Sequence, residues 1–335
     1  ANERDARRCV LSFLAVMVAG LLLLGGLNVV VDPFGAFGIA WVPADSRTGE
    51  TRTARAELLQ RFRGSTVLIG SSRTRIGYDG TLPCVPGGPA LNVGLDGTNI
   101  RELGLVVRQA TLNPRLRRIV LSLDLHLFTA DWQPNSDFRS SRFNPDRTPF
   151  EHTCNLLFSG RTVEASCRAL RHWLRGTPPR HDPLGFAADA RLHFERTPQA
   201  VRTASACNQF FGPGGLLLNA EPDDASIAEL QGIIAHCHDR EIEMILVLDP
   251  VHALLLEGLV VTGQEPVYLR WKRRVVELAA EGNVPLWDFT PCHPCTTEPL
   301  VASDAPPARW FWEPSHMRRE LGDRVLARVF GSRSA

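Results

Sequence analysis

The chain has 335 residues, of which 44% are hydrophobic and 22% are charged, and its formal net charge is +1. This composition is typical of a globular protein that can bury a sizeable core, as one large domain or two small ones. The charge is balanced and has no long run of one sign, so nothing in the charge distribution favours binding to nucleic acid. We therefore predict no nucleic-acid partner.

The first feature along the chain is an uncharged apolar stretch from Cys9 to Val31. At about 1.5 Å per residue a helix of this length can cross a hydrocarbon core of about 30 Å. A cleaved signal peptide is the alternative, but the apolar region of such a peptide usually has about 7–15 residues. Residues 36–40 also make a poor cleavage site. We therefore predict an uncleaved transmembrane signal anchor at residues 9–31.

Three arginines precede this stretch: Arg4, Arg7 and Arg8. By the positive-inside rule they predict that residues 1–8 form a cytoplasmic stub. The chain after Asp32 should then lie on the far side of the membrane. Residues 32–65 are interpreted as a linker and a leading helix, the helix running from about Thr51 to Phe62.

Short apolar runs that end at glycine or polar residues predict the strands, at residues 66–70, 90–93, 118–124, 244–249 and 284–289. Helical periodicity between and after them predicts helices that begin near residues 99, 224, 267 and 318. Strands alternating with helices at this spacing predict an α/β domain over residues 66–331, with a doubly wound, mostly parallel sheet in three layers. Residues 130–222 are rich in Pro, Arg, Asn and Gly, with one clear helix near 162–174. We interpret them as an insertion over the ligand edge of the sheet.

The first strand runs directly into the sequence Gly70-Ser71-Ser72. A serine in such a turn can be a nucleophile, because glycine permits the tight backbone and the following amides can face an oxyanion. An ordinary strand-to-loop turn is the alternative, since serine is a common turn former.

Immediately before the last predicted helix, Glu313 precedes His316 by three residues. A carboxylate at this spacing can orient the histidine ring while the other ring nitrogen faces a site. Glutamate and histidine are common surface residues, so the pair alone is a weak signal. Together with the Gly-Ser-Ser turn and the α/β sheet between them, the pattern is specific.

With these features the chain resembles the SGNH (GDSL-like) hydrolase superfamily, with its flavodoxin-like sheet, and in particular the membrane-anchored bacterial branches of that superfamily. Those branches include proteins that acetylate exported alginate and cellulose, and the D-alanyl transfer protein of teichoic acid. The resemblance covers about Val67 to Phe330 without the 130–222 insertion. It implies that Ser72 is the nucleophile, His316 the base and Glu313 the carboxylate that orients the base.

The resemblance also implies an oxyanion hole formed by the backbone amides of Ser72 and Gly97, with Gly94 as the alternative to Gly97. The chain departs from the family pattern at two positions: Glu313 replaces the usual aspartate, and Asp124 replaces the asparagine of the third block. An ionised aspartate accepts hydrogen bonds and donates none. Either Asp124 is protonated in the oxyanion hole, or the two amides serve alone.

Three further side chains are candidates for substrate binding. Arg73 and Arg75 can hold an acidic sugar or a phosphate of an acyl carrier, although a solvated turn is the alternative. His252 follows a predicted strand, where open α/β sheets bind ligands, although a structural hydrogen bond explains it equally well.

A pair of cysteines, Cys292 and Cys295, has the spacing of half a zinc site, with His236 and His238 as possible further ligands. Outside the cytoplasm a disulfide is the better expectation. We therefore predict no metal, and the implied chemistry needs no cofactor.

Taken together, the resemblance implies a single-pass protein of the bacterial inner membrane with its C-terminal domain on the periplasmic or extracellular side. The implied activity is that of a serine esterase or O-acyltransferase acting on the acyl ester of an exported glycan or cell-envelope polymer. A membrane-bound acyl-donor protein is a candidate partner. The alternative is a catalytically inactive binding or scaffold protein of a polysaccharide modification or export complex.

Overall fold

The computed structural model describes residues 3–39, 41–43, 46–47, 49, 51–129, 136–177, 181–300 and 308–331. The chain divides into two compact units. The first comprises residues 1–58 and 136–180, and the second comprises residues 59–135 and 181–335.

The helices within the described ranges are α1 (Glu3–Val31), α2 (Arg52–Arg61), α3 (Ser72–Gly77), α4 (Ile100–Ala110), α5 (Ser136–Ser140), α6 (Pro149–Phe158), α7 (Gly160–Arg175), α8 (Ala190–Glu195), α9 (Gln199–Phe211), α10 (Asp224–Asp239), α11 (Ala253–Val261), α12 (Glu265–Glu281) and α13 (Arg319–Val329). The strands are β1 (Thr66–Gly70), β2 (Leu91–Gly94), β3 (Arg118–Leu123), β4 (Glu243–Leu248), β5 (Leu286–Asp288), β6 (Phe311–Glu313) and β7 (His316–Met317). A short 3-10 helix, Leu125–Phe128, follows β3.

In the first unit, α1 is long and apolar enough to cross a membrane. The helix α6 and the helix α7 pack against the C-terminal end of α1. The buried side chain of Asn28 on α1 joins them, since Nδ2 donates to the carbonyl of Leu157 at 2.8 Å and Oδ1 accepts from Ser166 Oγ at 2.7 Å. Residues 136–177 therefore belong with α1. We predicted one insertion over 130–222, whereas the structure divides this stretch, with residues 181–222 in the second unit.

The second unit is built on a five-stranded parallel sheet with strand order β2-β1-β3-β4-β5. The predicted α/β class with a parallel sheet is confirmed. The order is that of a doubly wound sheet, which binds ligands where the strand order reverses, here between β1 and β3. That reversal lies at the carboxyl end of β1, where the chain continues into Ser71 and Ser72.

Helices cover both faces of this sheet. One face packs against α13, through the buried side chains of Leu68, Val120, Ile245, Val247, Leu321, Val325 and Leu326. Because successive strand side chains point to opposite faces, the remaining buried hydrophobic residues of the strands face the other side. On that side α4 and α10 contact each other, β1 and β4.

Two elements near the site lay outside the sequence prediction. The strands β6 and β7 form a small antiparallel hairpin that pairs Phe311 with Met317 and Glu313 with His316. His316 therefore lies on a strand, and α13 begins three residues later. The helix α11 follows β4, and its N-terminal cap is His252.

Candidate active site

The turn after β1 brings Ser72 to the edge of the sheet. The side chain of Ser71 accepts a hydrogen bond from the amide of Arg73 at 3.3 Å and caps α3, of which Ser72 is the first residue. Gly70 is required here, because a Cβ at this position would lie 2.1 Å from Thr74 Oγ1 and 2.8 Å from Ser122 Cβ. Ser71 is buried, whereas Ser72 is partly exposed.

A continuous chain of hydrogen bonds connects Ser72, His316 and Glu313. Ser72 Oγ lies 2.8 Å from His316 Nε2, and His316 Nδ1 contacts Glu313 Oε1. The other carboxylate oxygen, Glu313 Oε2, accepts from the amide of Ser315 at 2.8 Å. The hairpin β6–β7 creates this geometry, since it places Glu313 and His316 opposite each other. The arrangement is that of a serine, histidine and carboxylate triad.

The carboxylate of Glu313 is buried but ionised. Burial would raise the pKa of Glu313, but its interaction with His316, the hydrogen bond from the Ser315 amide and the charge of Arg73 hold it below its ordinary value. An ionised carboxylate in this position orients the imidazole and stabilises the imidazolium that forms during acyl transfer.

Aromatic side chains hold the imidazole from one side. The ring of Phe194 on α8 lies 5.8 Å from that of His316 and stacks on Trp312 at 5.3 Å. This packing limits the orientations that the His316 ring can adopt.

Asp124 lies close to the turn, but it does not have the geometry of an oxyanion donor. Its carboxylate forms an ion pair with Arg73 Nη1 and accepts from Ser71 Oγ at 3.2 Å. All three side chains are buried. Because a carboxylate that is paired in this way only accepts hydrogen bonds, it anchors the turn and would not stabilise an oxyanion. Of the two alternatives left open by the sequence, the geometry favours the amides alone.

Both arginines that we predicted to bind substrate are engaged within the protein. Arg73 is buried, and its Nε donates to Ser315 Oγ at 3.2 Å in addition to its contact with Asp124. It therefore ties the Ser72 turn to the loop after β3 and to the β6–β7 hairpin. Arg75 Nε donates to Asp96 Oδ1 at 2.7 Å, which links α3 to the turn after β2. These contacts make both residues positioning groups.

The two glycines proposed for the oxyanion hole lie at the end of β2, Gly94, and in the turn that follows it, Gly97. Gly97 is exposed, with φ of 56°, and its turn follows the strand that pairs with β1. At Gly94 a Cβ would lie 2.3 Å from the amide nitrogen of Arg75, so this glycine permits the close approach of α3. Gly94 thus has a packing role, and Gly97 remains the predicted oxyanion residue.

His252 does not have a nitrogen free for substrate. It is buried, its Nε2 donates to the carbonyl of Glu298 at 2.6 Å, and its Nδ1 accepts from the amide of Leu254 at 3.2 Å. Burial lowers its pKa. Its own amide donates to the carbonyl of Pro314 at 3.0 Å, in the turn between Glu313 and His316. His252 therefore supports the hairpin, as the structural alternative anticipated.

The structure adds one residue that the sequence analysis missed, His126. It lies on the 3-10 helix two residues after Asp124 and lines a narrow cavity together with Arg73 and Asp124. Burial and the positive charge of Arg73 lower the pKa of His126 to about 3, so its imidazole is neutral. Its position immediately after a strand, at the ligand edge of the sheet, is the signal that could have identified it.

The two cysteines that we expected to form a disulfide, Cys292 and Cys295, are not bonded to each other. Within the described ranges, no group of three His, Cys, Asp or Glu side chains has an arrangement that could hold a metal ion.

Comparison of the chain with protein-family models gives no match, and comparison with curated proteins gives none. The site is therefore interpreted from its geometry.

The ion pair between Arg73 and Asp124 leads to a prediction about stability. Asp124→Asn introduces the asparagine of the superfamily that the chain resembles, but it removes the carboxylate that contacts the buried guanidinium directly. The charges of Asp249 and Glu313 still act on Arg73. Removing one partner of a buried pair costs about 3–5 kcal/mol. We expect chemical denaturation to show a loss near the lower end of that range, because Arg73 keeps its bond to Ser315.

The double variant Arg73→Met/Asp124→Asn is the matched control. It removes the buried guanidinium together with its direct partner, so we expect it to lose less stability than Asp124→Asn alone. A single variant as stable as the wild type would contradict the anchoring role assigned to this pair.

Proposed function

We propose that the protein is a membrane-anchored serine esterase or O-acyltransferase of the SGNH type. The observation that carries this proposal is the hydrogen-bonded chain from Ser72 through His316 to Glu313, at the carboxyl edge of a parallel sheet. A buried, ionised carboxylate, an imidazole bonded to it and a partly exposed hydroxyl within 2.8 Å are the parts that activate a serine.

In the proposed reaction His316 Nε2 accepts the proton of Ser72 as Ser72 Oγ attacks the acyl carbonyl. Glu313 stabilises the imidazolium through Nδ1–H. When the tetrahedral intermediate collapses, His316 returns the proton to the leaving oxygen, and the acyl group stays on Ser72. Water then completes hydrolysis, or a hydroxyl group of an acceptor glycan completes transfer, with His316 again as the base.

The oxyanion of the intermediate is assigned to the amides of Ser72 and Gly97. Asp124, paired with Arg73, supplies no donor. Since one oxyanion donor is typically worth about 10²–10³ in rate, we expect a slower enzyme than one that carries the asparagine.

The proposed substrate is an acyl ester of an exported glycan or cell-envelope polymer, with the second unit on the outer face of the inner membrane. Support comes from the apolar length of α1 and the three arginines before it. A C-terminal alkaline phosphatase fusion tests this side of the membrane, because that reporter is active only after export. An inactive fusion, with an active cytoplasmic reporter at the same position, would reverse the topology.

One observation favours the second candidate, an inactive binding or scaffold protein. Asp124, a hydrogen-bond acceptor, occupies the position where SGNH hydrolases have the asparagine that donates to the oxyanion. Covalent labelling separates the two functions. The full chain in detergent is treated with a fluorophosphonate probe between pH 6 and pH 9, and the product is weighed intact and digested to locate the label. We expect one label, on Ser72. Absence of labelling in protein shown to be folded would favour the scaffold.

A further inference from the structure

The C-terminal end of α1 is surrounded by two short segments of the same unit. One is the chain that reverses direction after α1, residues 32–39 and 41–42, and the other is the turn between α6 and α7, residues 157–161. We call these segments the collar. Asp32 holds the first segment in place, since its carboxylate accepts from the amides of Phe37 at 3.1 Å and Gly38 at 2.9 Å.

The second segment contacts α1 inside the apolar span, before the span ends. The ring of Phe158 lies against Gly25, where an added Cβ would be 3.1 Å from it. A minimal span of about 20 residues counted from Cys9, the first residue after the arginines, ends at Asn28. Gly25 lies three residues inside that end, about 4.5 Å at 1.5 Å per residue. If α1 crosses the membrane, Phe158 lies at the depth of the acyl chains, and 41% of this residue is exposed.

The first segment brings a tryptophan beside Val30, about 7.5 Å farther along α1 than Gly25 at about 1.5 Å per residue. The amide of Trp41 donates to the carbonyl of Val30 at 3.2 Å, so Trp41 lies beside the last turn of α1. Its side chain is 77% exposed, and the neighbouring Ile39 is also exposed. Tryptophan is enriched at the boundary between acyl chains and headgroups, where an apolar ring with one polar N–H is favourable.

The polar groups of the collar are arranged as a bilayer boundary requires. Asn28, the one amide side chain in the last two turns of α1, is buried and bonded to Leu157 and Ser166. An unsatisfied amide at this depth would be costly. The only acidic residue of the collar, Asp32, is buried. Its one basic residue, Arg161, has its charge satisfied within the unit, since Nη1 donates to Ser140 Oγ at 3.4 Å and lies 3.9 Å from Asp137 Oδ1.

We propose that the collar is a lipid-binding surface: it lies in the same bilayer that α1 crosses, with Phe158 among the acyl chains and Trp41 at the headgroup boundary. The occupant is phospholipid. Continuity with α1 supports lipid over a protein partner, because any surface fixed beside Gly25 and Val30 shares the depth of those residues. The collar would fix the rotation and height of the first unit on the membrane, which a single helix with a free linker would leave open.

The test uses the full chain in nanodiscs whose lipids carry bromine near the headgroup end or near the middle of the acyl chains. Bromine quenches tryptophan fluorescence only at close range. We expect part of the wild-type tryptophan fluorescence to be quenched, and this quenching to be lost in Trp41→Phe. The quenching should be larger when the bromine is near the headgroup end than when it is near the middle of the acyl chains. Trp173→Phe is the matched control. Trp173 is 45% exposed on α7, about one turn beyond Ala169, which packs on Val31, so its loss should leave the quenching unchanged.

A gain of signal tests the depth of the second segment. In the Trp41→Phe background, Phe158→Trp should restore quenching and shift it toward the deep bromine, whereas Phe150→Trp should not. Phe150 is 77% exposed on the same helix, eight residues earlier. Equal signals for wild type and Trp41→Phe, or equal quenching at positions 158 and 150, would overturn the proposal. Loss of the chain from membranes on alkaline carbonate extraction would also overturn it, because α1 would not be embedded.

Discussion

Replacing Ser72 with alanine is expected to abolish fluorophosphonate labelling and to reduce hydrolysis of an activated acetyl ester by roughly 10⁴–10⁶-fold, as removal of a triad nucleophile does. The hydroxyl of Ser72 is the one that contacts His316 Nε2, at 2.8 Å. Without it the base has no nucleophile to activate. Initial rates with the purified full chain in detergent, together with intact mass after labelling, measure the effect.

Ser71→Ala is the matched control, because it removes a hydroxyl from the adjacent residue. Ser71 Oγ faces Asp124 at 3.2 Å and the amide of Arg73 at 3.3 Å. We expect a loss of stability of about 1 kcal/mol from the missing cap, and at most about a tenfold loss of rate. Labelling that persists in Ser72→Ala would show that another residue is the nucleophile.

Glu313→Gln is the second substitution with a large expected effect, a fall in kcat of about 10³–10⁴-fold with little change in KM. Both oxygens of Glu313 are used, one by His316 Nδ1 and the other by the amide of Ser315. An amide has only one oxygen and cannot accept both hydrogen bonds. The variant therefore disturbs either the imidazole or the hairpin, and it cannot stabilise the imidazolium by charge.

Steady-state kinetics and circular dichroism together distinguish this effect from unfolding. Glu313→Asp is the control that keeps the charge. Although aspartate is usual in the superfamily that the chain resembles, we expect it to be less active than glutamate here. Glutamate already contacts His316, and a shorter side chain would move the carboxylate away from the ring. If Glu313→Gln reacted at the wild-type rate, the carboxylate would have no role in the mechanism.

The lowered pKa of Glu313 also determines the direction in which the stability of the fold changes with pH. Because the folded state holds this pKa below the ordinary value of 4.5, Glu313 contributes stability above about pH 4.5. That contribution is lost as the pH falls through the folded-state pKa. We expect Glu313→Gln to flatten this part of the stability profile, and its activity defect to persist across pH 6–9, where the wild-type carboxylate is ionised.

Several features follow from the sequence alone because each depends on a local pattern. The apolar stretch 9–31 needs only length and the absence of charge to predict a helix that can cross a membrane. Buried parallel strands have the sequence pattern of short apolar runs. For this reason the predicted limits of β1, β3 and β4 agree with the observed limits within about one residue. The spacing of Glu313 and His316 is also local, which is why the pair could be recognised before its hairpin was known.

The tertiary structure decided which of these residues meet. Arg73 and Asp124 are 51 residues apart in the chain, and only the adjacency of β1 and β3 in the sheet makes them an ion pair instead of a substrate clamp and an oxyanion donor. The hairpin β6–β7 was too short to show strand periodicity. The sequences of α6 and α7 carry no local sign that these helices pack on α1. Such contacts depend on strand order and on packing between distant segments, and no pattern within one segment encodes them.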